Sequence, residues 1–127
     1  MASPTQCAQQ LADVRRAQRG RLVARLRNAV QGQMSALPDL DARVYLFGSW
    51  ASGCFDAMSD IDLLVLAPDH CAVDAAQRAL MAVADDVVGL TDDAWQERLR
   101  AADPFVAALA SERVLLYGTP EASRDAR

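Results

Sequence analysis

Residues 43–67 read RVYLF-GSWASGCFDAMS-DIDLLVLA, and this stretch decides the fold. Residues 43–47 are rich in branched and aromatic side chains, which is typical of a β-strand, and Gly48-Ser49 ends that strand sharply. Residues 60–67 are apolar on both faces beyond their first turn, which indicates a central strand covered on both sides. The stretch therefore predicts two strands separated by a glycine turn and a short helix.

Upstream of this stretch, residues 9–36 predict one long amphipathic helix that ends before Pro38. Its apolar stripe consists of Leu11, Val14, Leu22, Leu26 and Val30. Arginines fill the opposite side, and Gly20 inside the helix costs about 1 kcal/mol relative to alanine.

Downstream, helix and strand signals alternate. The pattern predicts a helix capped by Asp69 and running to about Val83, a strand over residues 85–89, helices capped by Thr91 and Asp103, and a strand over residues 113–117. We expect Trp95 and Phe105 in the core, and a disordered tail over residues 118–127. These elements predict a layered α/β (α+β) domain preceded by a long helix.

Length and composition fit one ordinary globular domain. A chain of 127 residues with 52% hydrophobic and 24% charged side chains can bury one core, so we expect a single domain over residues 1–127, with residues 43–117 as its core. No apolar run approaches the roughly 20 residues that span a bilayer, and no signal-peptide pattern opens the chain. We therefore expect a cytoplasmic protein with no membrane partner.

The cysteines are Cys7, Cys54 and Cys71, an odd and widely spaced set with only His70 as a possible companion ligand. We interpret them as reduced thiols rather than as a zinc site, and His70 as a surface residue.

Charge is distributed unevenly around a net value of −4. The segment from Arg15 to Arg27 contains six arginines and no acidic residue, and the chain has no lysine. An acidic remainder argues against direct DNA binding, whereas the basic segment suits an acidic protein surface, RNA or nucleotide phosphates. A solvated helix face is the alternative interpretation.

Two short motifs suggest phosphate chemistry. At Gly48-Ser49 a strand enters a helix, so backbone amides and the Ser49 hydroxyl can bind a phosphate. Asp60 and Asp62 are two residues apart on the predicted strand, so their carboxylates share one face and suit Mg²⁺ or Mn²⁺. Such a combination is what phosphoryl or nucleotidyl transfer requires.

The order and spacing of these motifs resemble a known superfamily. Gly48-Ser49, ten intervening residues and Asp60-x-Asp62 resemble the signature of the DNA polymerase β-type nucleotidyltransferases. Within it, the chain resembles the minimal nucleotidyltransferases, the antitoxin partners of HEPN-domain toxins. The resemblance covers about residues 43–117, including Val87-Val88 and the final predicted strand.

The resemblance implies a mixed sheet flanked by helices and a role for each motif residue. Gly48 and Ser49 would hold the nucleoside triphosphate, and Asp60 and Asp62 would coordinate the metal. A third metal-binding and catalytic carboxylate would come from Asp86, with Asp85 as the alternative because a one-residue register shift exchanges them.

Two positions near the glycine turn need separate interpretation. Many relatives carry arginine where this chain has Ser52, which bears on triphosphate affinity. Trp50 could stack on a base, although packing beside the helix start is the simpler interpretation.

The function implied by this resemblance is the transfer of AMP from ATP to a hydroxyl, on a tyrosine, of a cognate HEPN toxin. The protein would thereby act as an antitoxin and form a hetero-oligomer with that toxin. One alternative is a non-catalytic antitoxin that neutralises its partner by occlusion. Another is a small-molecule, antibiotic-type nucleotidyltransferase with its acceptor site at a dimer interface.

Overall fold

The computed structural model describes residues 3–37, 39–56 and 58–119. Its elements in chain order are α1 (Pro4–Met34), β1 (Arg43–Phe47), α2 (Ser49–Ser52), β2 (Asp62–Ala67), α3 (His70–Leu80), β3 (Asp86–Thr91), α4 (Asp92–Arg100), α5 (Pro104–Ser111) and β4 (Val114–Tyr117). Most of the predicted disordered tail, residues 120–127, lies outside the described residues.

The strands form one mixed sheet in the order β3-β2-β1-β4. Strand β1 pairs antiparallel with β2 and with β4, whereas β2 pairs parallel with β3. The parallel connection from β2 to β3 runs through α3, as such a connection usually runs through a helix. The predicted mixed sheet flanked by helices is confirmed, and β2 is the central strand that its apolar sequence indicated.

Helices cover both faces of the sheet. On one face, α1 and α3 pack against alternate β2 residues, including Leu63 and Val65. On the other face, Trp95 of α4 and Leu109 of α5 pack against Leu64 and its neighbours. Side chains alternate along a strand, so Asp62 lies on the Leu64 face, the side of α4 and α5.

Helix α1 begins at Pro4, five residues before the predicted start at residue 9, and ends at Met34 rather than residue 36. Ser3 and Gln6 form a reciprocal capping box, with Pro4 at the first helical position. This signal is readable in the sequence, although the apolar stripe alone does not include it. No described helix, α1 included, is long and apolar enough to cross a bilayer.

The predicted apolar stripe of α1 is only partly buried. Leu22, Leu26 and Val30 lie in the core, but Leu11 and Val14 are 65% and 52% exposed. A helix of 31 residues is about 46 Å long, whereas a six-residue strand spans about 20 Å. The first half of α1 therefore extends past the sheet that buries its second half.

Several predicted boundaries shift. Helix α3 ends at Leu80 rather than near Val83, β3 covers Asp86–Thr91 rather than residues 85–89, and β4 begins at Val114 rather than residue 113. The predicted caps are confirmed, because the side chains of Asp69, Thr91 and Asp103 each accept a hydrogen bond from an amide of the helix that follows.

The prediction of two core aromatic residues is half right. Trp95 is buried as expected, but Phe105 is 48% exposed. Phe105 follows Pro104 on the first turn of α5, where its ring meets Phe47 edge to face with the centroids 6.4 Å apart. His70 is exposed, in agreement with its interpretation as a surface residue, and the three cysteines are free thiols that are also exposed.

Candidate active site

A glycine turn joins β1 to α2. Gly48 has φ +79° and ψ −153°, a conformation that essentially only glycine adopts. Its carbonyl accepts hydrogen bonds from the amides of Ala51 and Ser52 and so starts α2. No side chain caps this helix start, which leaves its first amides available to a ligand.

The turn lies directly against the Asp62 carboxylate. A Cβ atom at Gly48 would stand 2.7 Å from Asp62 Oδ2, closer than real contacts allow. Phe47, the last residue of β1, is the register partner of Asp62 on β2. The structure therefore brings the two sequence motifs into contact through the pairing of β1 with β2.

A second carboxylate stands beside Asp62 on the neighbouring strand. Asp62 and Asp86 are register partners in the parallel pair of β2 and β3. Register partners on parallel strands direct their side chains to the same face, so both carboxylates lie on the side of α4 and α5.

Asp60 lies before β2, so the prediction that Asp60 and Asp62 occupy one strand is wrong. Strand β1 ends at Phe47, opposite Asp62, and Gly48 then turns the chain away. Residues 60 and 61 consequently have no β1 partner. The charge of Asp60 nevertheless acts on Asp62 and raises the pKa of that carboxyl.

The charges that act on Asp62 at this end of the sheet are all negative. Burial raises the pKa of Asp62 above its ordinary value of 3.8, and the negative charges of Asp86, Asp60 and Asp85 raise it further. Every charged group responsible for this shift is acidic. The ionised Asp62 is therefore in a position that a cation would stabilise.

Asp85 and Asp86 have different surroundings. Asp85 Oδ2 accepts a hydrogen bond of 2.8 Å from the amide of Ile61, and the amides of both aspartates donate to the Ile61 carbonyl. The Asp86 carboxylate has no hydrogen-bond partner among the described residues. Asp85 thus holds the backbone of Ile61, the residue before β2. The Asp86 carboxylate is not engaged in such a bond within the described part of the chain and lies beside Asp62.

A comparison with protein families identifies the family of this chain. A family model described as the nucleotidyltransferase domain matches residues 25–115, more than half of the chain. The chain belongs to the nucleotidyltransferase domain family. The matched segment contains the glycine turn and all the carboxylates considered above, and it begins within α1.

Other comparisons give weaker similarity. No curated protein matches this nucleotidyltransferase. It is similar to a crystal structure of a toxin-antitoxin with AMP-PNP, at 26% identity, with 77% of each chain covered and a TM-score of 0.48. It is also similar to a mutant of the toxin-antitoxin MntA-HpeT, at 24% identity, the same coverage and a TM-score of 0.46.

The carboxylates of this nucleotidyltransferase fit a divalent cation that is shared with a substrate. Within residues 3–37, 39–56 and 58–119, no three acidic, histidine or cysteine side chains form a group that could hold a metal ion alone. Mg²⁺ is usually bound through one or two carboxylates together with substrate phosphates and water. Asp62 and Asp86 supply such oxygens, and their surplus negative charge is what a cation would offset.

Trp50 packs within the protein. Its ring stacks on Phe55 with the centroids 4.1 Å apart, and its Nε1 donates to the carbonyl of Ser59 at 3.3 Å. This contact agrees with the packing interpretation rather than with stacking on a base.

An apolar cavity of about 320 Å³ opens beside the nucleotidyltransferase turn, and sequence reasoning missed it. Its lining includes Phe47, Gly48, Phe105 and Leu109, with Glu112 as the one charged residue. The cavity depends on how α5 meets the end of β1, and neither motif indicates that contact. The half-exposed Phe105 of α5 is part of its lining.

Proposed function

We propose that this protein is a metal-dependent nucleotidyltransferase that transfers AMP from ATP to a tyrosine hydroxyl of a cognate HEPN toxin and so neutralises it. The observation that supports this function most strongly is the contact between the glycine turn and Asp62, with Asp86 alongside. A phosphate held by the turn would lie next to both carboxylates.

Each residue of the site has a defined role in this proposal. The first amides of α2 and the Ser49 hydroxyl bind the triphosphate, and Gly48 allows its close approach. Asp60, Asp62 and Asp86 would hold Mg²⁺ or Mn²⁺ together with the phosphates of the substrate, and the ion would offset negative charge on those phosphates.

Asp86 has the further role of a general base. It accepts the proton of the acceptor hydroxyl, whose oxygen then forms a bond to the α-phosphorus of ATP. The bond from the α-phosphorus to the bridging oxygen breaks, and pyrophosphate leaves.

The choice of a toxin as acceptor is supported by the sequence resemblance to minimal nucleotidyltransferases. The test begins with the neighbouring reading frame, which should encode a HEPN protein. Incubating that protein with the nucleotidyltransferase, ATP and Mg²⁺ should add the mass of an adenylyl group at one tyrosine and abolish toxicity. Neutralisation by complex formation without any added mass would favour occlusion and contradict the proposed reaction.

A further inference from the structure

Arginines of α1 donate hydrogen bonds to the carbonyls at the C-terminal end of the short helix α2 and just beyond it. Four residues are too few for a helix to be stable on its own, because nucleation is costly. Gly53, with φ +89°, ends α2 after one turn and leaves the carbonyls at its end without helical amides. Those carbonyls need donors from elsewhere in the chain.

Arg19 supplies two of these donors. Its Nε donates to the Trp50 carbonyl at 3.0 Å, and its Nη2 donates to the Ala51 carbonyl at 3.1 Å. The half-buried guanidinium thus spans two successive carbonyls with its fork. A cation at the carbonyl end of a helix also stabilises that helix electrostatically.

Arg15, one helical turn earlier, extends the same contact. Its Nη2 donates to the carbonyls of Gly53, at 3.2 Å, and of Phe55. Its guanidinium lies 4.6 Å from the centroid of the Phe55 ring, which in turn stacks on Trp50. The two arginines therefore hold both α2 and the chain that leaves it.

The segment that the two arginines hold lies next to the Gly48-Ser49 turn on one side and is bonded to the residue before the aspartates on the other. Ser49, at the start of α2, directly precedes Trp50, whose carbonyl Arg19 holds. Trp50 also bonds to Ser59, the residue before Asp60. Hydrogen bonds that hold the C-terminal carbonyls of α2 therefore also fix the orientation of the amides at its N-terminus.

We propose that Arg19, assisted by Arg15, is a positioning residue that keeps the Gly48-Ser49 turn in its nucleotide-binding conformation. The inference rests on the proposed function only in its choice of ATP as the ligand. Neither arginine contacts the substrate in this account, and both act through the backbone of α2.

The test compares full-length variants Arg19→Ala, Arg19→Lys and Arg15→Ala with Arg16→Ala. Arg16 is the matched control because it is exposed on the same helix and pairs only with Asp13 in the described structure. All three positions precede the buried half of α1, which begins at Leu22, so the core is retained.

Two measurements keep the test independent of the proposed activity. Hydrogen exchange of the ligand-free protein should be faster at residues 49–55 in Arg19→Ala and unchanged in Arg16→Ala. Calorimetric titration with Mg²⁺-ATP should give a Kd about tenfold higher in Arg19→Ala, because two charge-assisted hydrogen bonds are lost. Arg19→Lys should recover part of the affinity, because one ammonium cannot reproduce the fork. In a turnover assay KM for ATP should rise while kcat stays within about threefold.

Parental exchange rates at residues 49–55 in folded Arg19→Ala would overturn the inference. Faster exchange with unchanged ATP affinity would also overturn it, because the turn would then bind ATP without being held. If the parent protein itself binds no ATP, the proposed function fails, and the exchange measurement still decides whether Arg19 holds α2.

Discussion

Gly48 has little room for a side chain. Any side chain there combines a strained backbone with a contact of 2.7 Å to Asp62 Oδ2. We predict that Gly48→Ala lowers the melting temperature and weakens Mg²⁺-ATP binding at least about tenfold, measured by calorimetry. Gly20→Ala is the control, because a Cβ at Gly20 meets nothing within 4 Å and should stabilise α1 by about 1 kcal/mol. Parental ATP affinity in Gly48→Ala would place the phosphate site elsewhere.

Asp85 and Asp86 are adjacent in sequence, and the structure separates their roles. We predict that Asp86→Asn keeps ATP affinity within a few fold but lowers transfer at least about a hundredfold, as expected for loss of a general base. Asp85→Asn should have a mild effect, because an asparagine oxygen can still accept the hydrogen bond from Ile61. Transfer and ATP binding would be measured in parallel. The reverse pattern would make Asp85 the third carboxylate.

Asp62 should oppose folding at neutral pH. Its pKa is raised in the folded protein, so ionising it costs more than in the unfolded chain. The free energy of unfolding therefore falls as the pH rises from about 3.8, the ordinary pKa of the carboxyl, to the raised pKa of Asp62 in the folded protein. Above that raised pKa the loss of stability is complete and constant. We predict that Asp62→Asn raises the melting temperature at pH 7 by about 1–3 °C, and that the difference disappears near pH 3.

The measurement for Asp62 is thermal unfolding followed by circular dichroism, with and without Mg²⁺-ATP. Asp74→Asn is the control, because Asp74 is an exposed residue of α3, the helix that packs on the opposite face of the sheet. A lower melting temperature for Asp62→Asn at pH 7 would show that Asp62 stabilises the fold and would contradict this prediction.

Apart from Arg16, which pairs with Asp13, the arginines of α1 form two groups. Arg15, Arg19 and Arg27 donate to backbone carbonyls of their own chain. Arg21 and Arg25 are exposed and bond to no other described residue. Spacing along the helix places these two on one face with the exposed Leu11 and Val14.

This exposed face of α1 is our candidate for the toxin interface. We predict that Arg21→Ala or Arg25→Ala weakens binding to an acidic toxin surface. The loss should be about 2 kcal/mol or more if the arginine pairs with a carboxylate buried in the interface, and about 1 kcal/mol or less if the pair lies at the rim of the interface. Affinity would be measured at low and moderate salt. Arg98→Ala, an exposed change on α4, is the control. Unchanged affinity and salt dependence in both variants would show that this face is only solvated.

Element types were predictable from the sequence, and element ends were less so. Periodicity identified the long helix, but the start at Pro4 depends on a capping box outside the apolar stripe. The apolar run identified β2, but its start at Asp62 depends on where β1 stops. A strand end is decided by its partners, and the sequence of one strand does not contain them.

At the scale of the whole molecule, the sequence indicated individual candidate residues of the site but not the contacts between them. The glycine turn and Asp62 could be selected as candidates because each adjoins a predicted strand, whereas Asp86 was selected through the family resemblance. Their contact required the sheet order, which brings β1, β2 and β3 together. The bonds from Arg19 to α2 cross 31 and 32 residues of sequence, and no periodicity predicts such a pairing.

We propose that the carboxylates beside the glycine turn catalyse nucleotidyl transfer. The most direct measurement follows the label from α-phosphate-labelled ATP into the toxin, with and without Mg²⁺, for the parent protein, Asp62→Asn and Asp74→Asn. We predict Mg²⁺-dependent labelling by the parent and by Asp74→Asn, and a loss of at least about a hundredfold in Asp62→Asn, since each 1.36 kcal/mol of transition-state stabilisation is tenfold in rate. Equal labelling by folded Asp62→Asn would contradict it.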